Sequence, residues 1–142
     1  MKRRDNLLRL KRFRVEDLKR RLMTLDDMKA NLERKLEELD QSIEREKARA
    51  SDSDIGRLAF PSFLQAIEVR RKNICSTMKE VERERAGVQD DMTEAYQDLK
   101  SFEVAEEERQ RRAEDAAAHA GQIRLDELAV ARHFRKHSLR RA

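Results

Sequence analysis

The sequence predicts an all-α protein built as one long antiparallel coiled-coil hairpin of two helices. Three observations predict it. Charged residues are 44% of the chain and aromatics 4%, with three glycines, one proline and no tryptophan, so the apolar bulk of a thick globular core is missing. Leu, Ile, Val, Met and Ala nevertheless recur at the spacing of a narrow helical stripe, which a disordered chain of this polarity would not need. One cluster of turn-forming residues divides that pattern in two.

Helix one is expected over about residues 5–50. Position a of its heptad falls at Leu8, Val15, Leu22, Lys29, Leu36, Ile43 and Ala50, and position d at Arg4, Lys11, Leu18, Leu25, Leu32, Leu39 and Glu46. Between Val15 and Ile43 only Lys29 interrupts the stripe. The turn is expected over about 51–61, from Ser51-Asp-Ser-Asp-Ile-Gly56 to Phe60-Pro61. Pro61 then sits in the first turn of helix two, where its missing N–H costs nothing.

Helix two is expected over about 62–120. Position d takes Ile67, Ile74, Val81, Val88, Ala95 and Phe102; position a takes Leu64, Arg71, Met78, Arg85, Met92 and Leu99. In an antiparallel pair a faces d of the partner, and here one register serves both seams. Leu8–Phe102, Val15–Ala95, Leu22–Val88, Leu36–Ile74, Ile43–Ile67, Leu18–Met92 and Leu32–Met78 are all pairs whose numbers add to 110, as are Lys11–Leu99 and Arg4–Glu106. The fold-back then lies near residue 55. Flanking charges agree, with Arg14 near Asp98 and Arg21 near Asp91. The imperfect layers are Lys29–Val81, Leu25–Arg85 and Leu39–Arg71, where a long basic side chain can cover its apolar neighbour while its head reaches water. Residues 5–49 span about 68 Å as helix, and the remainder, 106–142, overshoots helix one. In the basic segment 121–142, Gly121 is expected to end or weaken the helix, Ile123–Val130 to form a short amphipathic helix, and the tail to fray.

The net charge of +4 is segregated. Residues 1–21 hold ten basic and three acidic side chains, and residues 119–142 six basic and two acidic, leaving the middle net acidic. Basic ends suit an acidic protein surface, an anionic membrane face or nucleic acid. No apolar run approaches the ~20 residues of a membrane span. The basic start lacks the apolar block of a signal peptide, and Cys75 is the sole cysteine. A cytoplasmic protein is the expectation.

Nothing here points to an enzyme or a cofactor. The glycines stand alone, so there is no phosphate loop. Cys75 has no histidine near it in sequence, since His119, His133 and His137 all lie in the C-terminal part. His133 and His137 share a helix face but lack a third metal ligand at matching spacing. The carboxylates lie among lysines and arginines, and a rod offers no pocket in which to shift them.

Two clusters suit partner docking instead. Leu7, Leu10 and Phe13, with Arg14 beside them, fall off the seam on a second face. Their alternative role is to receive the C-terminal segment folding back. At the turn end, Ile55, Leu58, Phe60, Phe63 and Leu64 gather, with Ile67 just beyond; some close the end of the coil, and one of Phe60 and Phe63 is left to bind a partner.

Leu8-Arg-Leu-Lys-Arg-Phe13-Arg-Val15 followed by Lys19-Arg20-Arg21, the Ala59-Phe-Pro-Ser-Phe63 entry to helix two, and Leu125-Asp-Glu-Leu-Ala-Val-Ala-Arg-His133 together resemble FliJ, the flagellar type III export protein family of motile bacteria. The resemblance implies a coiled coil similar to the central-stalk subunit of rotary ATP synthases. It implies a non-catalytic protein that docks by its terminal end in the ring of the export ATPase FliI, contacts the export gate protein FlhA, and escorts export chaperones. The location it implies is cytoplasmic, at the periphery of the inner-membrane export apparatus. Carried onto this chain, Leu7, Leu10, Phe13, Arg14 and 106–130 would meet the ATPase, and Phe60, Phe63, Leu64 and Ile67 the gate. The residues themselves leave two other readings open: an adaptor coil bridging two proteins, and a binder of nucleic acid or anionic membrane through residues 2–21. The intramolecular register favours a monomer.

Overall fold

The computed structural model describes residues 2–141, for Arg141 the backbone alone. Two helices account for nearly all of it: α1, Lys2–Asp52, and α2, Asp54–Arg141. There is no strand among the described residues. Internal contacts divide the chain into two compact units, residues 1–97 and 98–142.

The first unit is the helical hairpin the sequence predicts. α1 runs 51 residues without an internal proline or glycine to interrupt it. Along α1 every a and d position from Leu8 to Ala50 is buried or half-buried, and Ser42 is the one residue outside that frame so protected. Val15, Leu18 and Leu25 form the tightest part, with Ile67 and Val81 buried on α2. Leu25 has no exposed surface at all, 0%, and burying a leucine this completely is worth about 1.5–3 kcal/mol.

Ion pairs across the hairpin report the register. Lys29 Nζ lies 2.5 Å from Glu82 Oε1, and Arg85 Nε 2.6 Å from Asp26 Oδ1. Arg71 pairs with Asp40 in the same way. In each case a basic residue at position a, intruding on the apolar stripe, meets a carboxylate at position e of the other helix. The paired numbers add to 111, one more than the sum expected for the seam layers. The three imperfect layers are therefore repaired by one device: the stem covers Leu25, Val81 or Leu39, and the head finds an acid at the rim. The hydrogen bond and charge of Lys29 hold the Glu82 carboxyl below its ordinary range, and Glu82 holds the Lys29 ammonium above its own. One flanking pair differs from expectation. Arg21 pairs with Glu84, a heptad nearer the turn than Asp91; glutamate carries one more methylene than aspartate and reaches across the flank.

The fold-back is far tighter than the eleven-residue turn expected. Ser53 alone separates the helices. Its Oγ accepts a hydrogen bond from the Gly56 N–H at 3.1 Å, and its carbonyl accepts one from Arg57 N–H at 3.1 Å, so Ser53 is the N-cap of α2. Arg57 Nε donates back to the Ala50 carbonyl at 3.3 Å, satisfying an end group of α1. Ser51 Oγ bonds the Lys47 and Ala48 carbonyls, each at 3.0 Å. At Gly56 the two helices approach closely. A Cβ there would stand 2.9 Å from the Arg49 carbonyl oxygen and 3.2 Å from Ala50 Cα. Pro61 consequently lies inside α2, in its eighth position rather than its first turn, and cannot donate to the Arg57 carbonyl. The serine cap and the close approach at Gly56 set the helix start, and the proline is tolerated downstream of it.

In the second unit α2 continues through Gly121 to Arg141. Gly121 does not end the helix: a lone glycine costs only about 1 kcal/mol against alanine, and helix-forming residues surround it. From 110 to 140 every side chain is exposed. Support here is local: Glu106–Arg109 at 2.5 Å, Glu108–Arg112 at 3.0 Å, and Gln122 Nε2 donating to Asp126 Oδ1 at 3.2 Å.

Candidate docking surfaces

Because Leu8, Lys11, Val15 and Leu18 occupy the seam, the residues between them turn outward. Leu7, Leu10, Phe13 and Arg14 are all exposed. The Arg20 guanidinium lies over the Phe13 ring, 5.7 Å from its centroid, so the ring is held in place by a cation–π contact while most of its surface stays free. Three large apolar side chains on a segment with seven net positive charges form a surface suited to an apolar site with an acidic rim.

At the turn end the expected residues divide. Phe60, Phe63 and Leu64 are half-buried and close the end of the coil. Ile67 is 3% exposed and belongs to the seam core, so it is a packing residue and not a docking residue. The tip is presented instead by Ile55 and Leu58, 81% and 82% exposed, one helical turn apart. Sequence reasoning placed these two in a loop and assigned some of that cluster to capping. With α2 starting at Asp54 they share one helix face, and the signal that finds them is Ser53 as an N-cap.

The second unit exposes two apolar lines on opposite faces of one helix. Leu125, Leu128 and Leu139 lie on one; Ile123, Val130 and Phe134 lie on the other. Arg124, Arg132, Arg135, Lys136 and Arg140 are interspersed. The His133 and His137 rings stack, with centroids 5.4 Å apart. Among the described residues no group of three His, Cys, Asp or Glu side chains is placed to share a metal. Cys75 is exposed. No helix of the described residues is long and apolar enough to cross a membrane.

No solved structure matches the chain. The "Flagellar FliJ protein" of Caulobacter vibrioides, strain NA1000 / CB15N, is 26% identical over 128 residues, covering 89% of this chain and 91% of the relative. The protein of the same description from strain ATCC 19089 / CIP 103742 / CB 15 aligns with the same figures. The family described as flagellar FliJ protein matches residues 1–138. The chain belongs to the flagellar FliJ protein family.

Proposed function

We propose that this chain is a non-catalytic stalk of the flagellar protein export apparatus, which docks in the ring of the export ATPase and couples it to the export gate. Membership of the FliJ family supports a flagellar, export-related role. The observation that carries the docking reading is the exposed Leu7, Leu10 and Phe13 face within the most basic segment of the chain. That face, with Arg14 and the exposed helix over 106–130, meets the ATPase. The tip at Ile55 and Leu58, backed by Phe60, Phe63 and Leu64, meets the gate protein. The escort role toward export chaperones uses the same exposed apolar residues, and membrane association is indirect, through the apparatus.

Mechanically, the hairpin suits a shaft. Its seam is closed along α1, so load passes along packed helices, while Leu7, Leu10 and Phe13 project from positions outside the seam. Substituting them leaves the seam intact, which makes the test clean. ATP hydrolysis and ring assembly of the purified export ATPase are measured with the wild-type chain and with a Leu7/Leu10/Phe13→Ala triple variant. The wild type raises one or both, and the variant loses the effect with its helicity and unfolding midpoint unchanged. No effect from either protein, and no co-elution with the ATPase, contradicts the stalk. A chain that still binds two partners through its tip and its terminal face is then the adaptor coil.

A further inference from the structure

The heptad frame of α2 does not stop where its buried seam stops. Position a, which runs through Met92 and Leu99, passes Glu106 and continues by sevens to Ala113, Ala120, Glu127 and Phe134. Position d, which runs through Ala95 and Phe102, passes Arg109 and continues to Ala116, Ile123, Val130 and His137. All eight are exposed, Phe134 at 69%. A coiled-coil stripe in the same frame as the closed seam therefore stands open over four heptads, and an apolar stripe of this kind takes a helix.

We propose that the helix covering it is the same segment of a second copy, lying antiparallel. The proposal is independent of the stalk reading and rests on the fit of the stripe to itself. Aligned so that facing numbers add to 250, Ala113 meets His137, Ala116 meets Phe134, Ala120 meets Val130, and Ile123 meets Glu127, each pair formed twice by symmetry. Every small residue faces a larger one, as interdigitating layers require.

The layer holding Glu127 carries the strongest argument. The hairpin answers a charge at position a with an opposite charge at position e of the facing helix, one number past the layer sum, at Lys29–Glu82, Arg85–Asp26 and Arg71–Asp40. The same rule in the self-paired stripe places Arg124 of the second copy beside Glu127, and Arg124 is at position e. Sliding the pair by a heptad in either direction puts Ala117 or Ala131 there instead. A parallel pair stacks Glu127 on Glu127 beside Asp126 and sets alanine against alanine in three layers. The antiparallel alignment is the one that pairs the charge and the volumes together. An alanine-rich seam buries little area, so the dimer is weak and concentration-dependent.

The test is sedimentation equilibrium of the full chain over a concentration series. The wild-type mass rises from the 16.8 kDa of one chain toward twice that value. Glu127→Arg and Arg124→Glu, both at exposed positions, each weaken the association constant about tenfold or more by facing like charges. The combined variant, which restores opposite charges across the pair, recovers wild-type association. Circular dichroism confirms that helicity is unchanged in all four proteins. A single-chain mass at every concentration overturns the proposal. So does association unaffected by Glu127→Arg, or a combined variant no better than either single change.

Discussion

The hairpin of residues 2–97 and the helix of residues 98–141 are read in one heptad frame and differ in what the frame meets. In the hairpin the stripe is closed by its own returning helix, and the three basic residues that interrupt it at position a, Lys29, Arg71 and Arg85, are each met by a carboxylate at the rim. From residue 110 onward the stripe is open and the apolar side chains are exposed. Heptad pattern alone therefore does not say where stability lies. Burial does: the hairpin holds the fold, and the open helix, the Leu7–Phe13 face and the Ile55–Leu58 tip leave large apolar side chains exposed.

That contrast can be broken most directly by matched truncations. Leu25→Ala removes a fully buried side chain and is expected to cost about 2–5 kcal/mol in denaturant unfolding. Leu128→Ala, on the open helix, is expected to stay within about 0.5 kcal/mol. Similar losses at the two sites would erase the distinction. Glycine sharpens it further, because the same substitution should change sign. Gly56→Ala drives a methyl into the Arg49 carbonyl and should cost about 1–3 kcal/mol. Gly121→Ala meets nothing within 4 Å and should raise helix stability by about 0.5–1 kcal/mol. Ser53→Ala, which removes the cap of α2, should cost about 1 kcal/mol, and Ser53→Gly a few tenths.

The smallest effect is electrostatic. Glu82 is held below its ordinary pKa, so its contribution is present above the unfolded carboxylate value and is lost as pH falls through the folded one. Lys29 is held above its ordinary pKa, so its contribution is lost only as pH rises through that raised value, at strongly alkaline pH. Glu82 is exposed and Lys29 half-buried with its head at the rim, so the pair is screened by solvent. Thermal unfolding of the wild type and of Lys29→Met should therefore diverge slightly near neutral pH and converge in acid and in high salt. A gap that persists in acid would assign the effect to packing of the lysine stem.

The seam was legible residue by residue because it is a local repeat: a stripe broken in its central part, between Val15 and Ile43 on one helix and Ile67 and Ala95 on the other, only at Lys29, Arg71 and Arg85 can close on one partner in one register. The partners of those three charges were legible only in part, since an e-position acid becomes meaningful once the register is known. The turn was misjudged because Pro61 was read as marking a helix start, a local rule. The start is set by the Ser53 cap and by the approach of Gly56 to Arg49, and the latter is a contact between helices. Ile67 was grouped with Phe60, Phe63 and Leu64 at the gate end that the resemblance implies, although its own d position placed it in the seam, where it is buried. Gly121 was given more breaking power than one glycine possesses. Ile55 and Leu58 became a presented face only with the helix start at Asp54.

Amide hydrogen exchange on the full chain, dilute and then with the export ATPase added, tests the central claim that the hairpin carries the stability and the open surfaces carry the binding. The account predicts slow exchange at 15–25 and 81–92 in both conditions, with 7–13 and 110–130 slowing when the ATPase is present. Exchange at 15–25 as fast as at 110–130, or no change at either 7–13 or 110–130 on adding the ATPase, would contradict it.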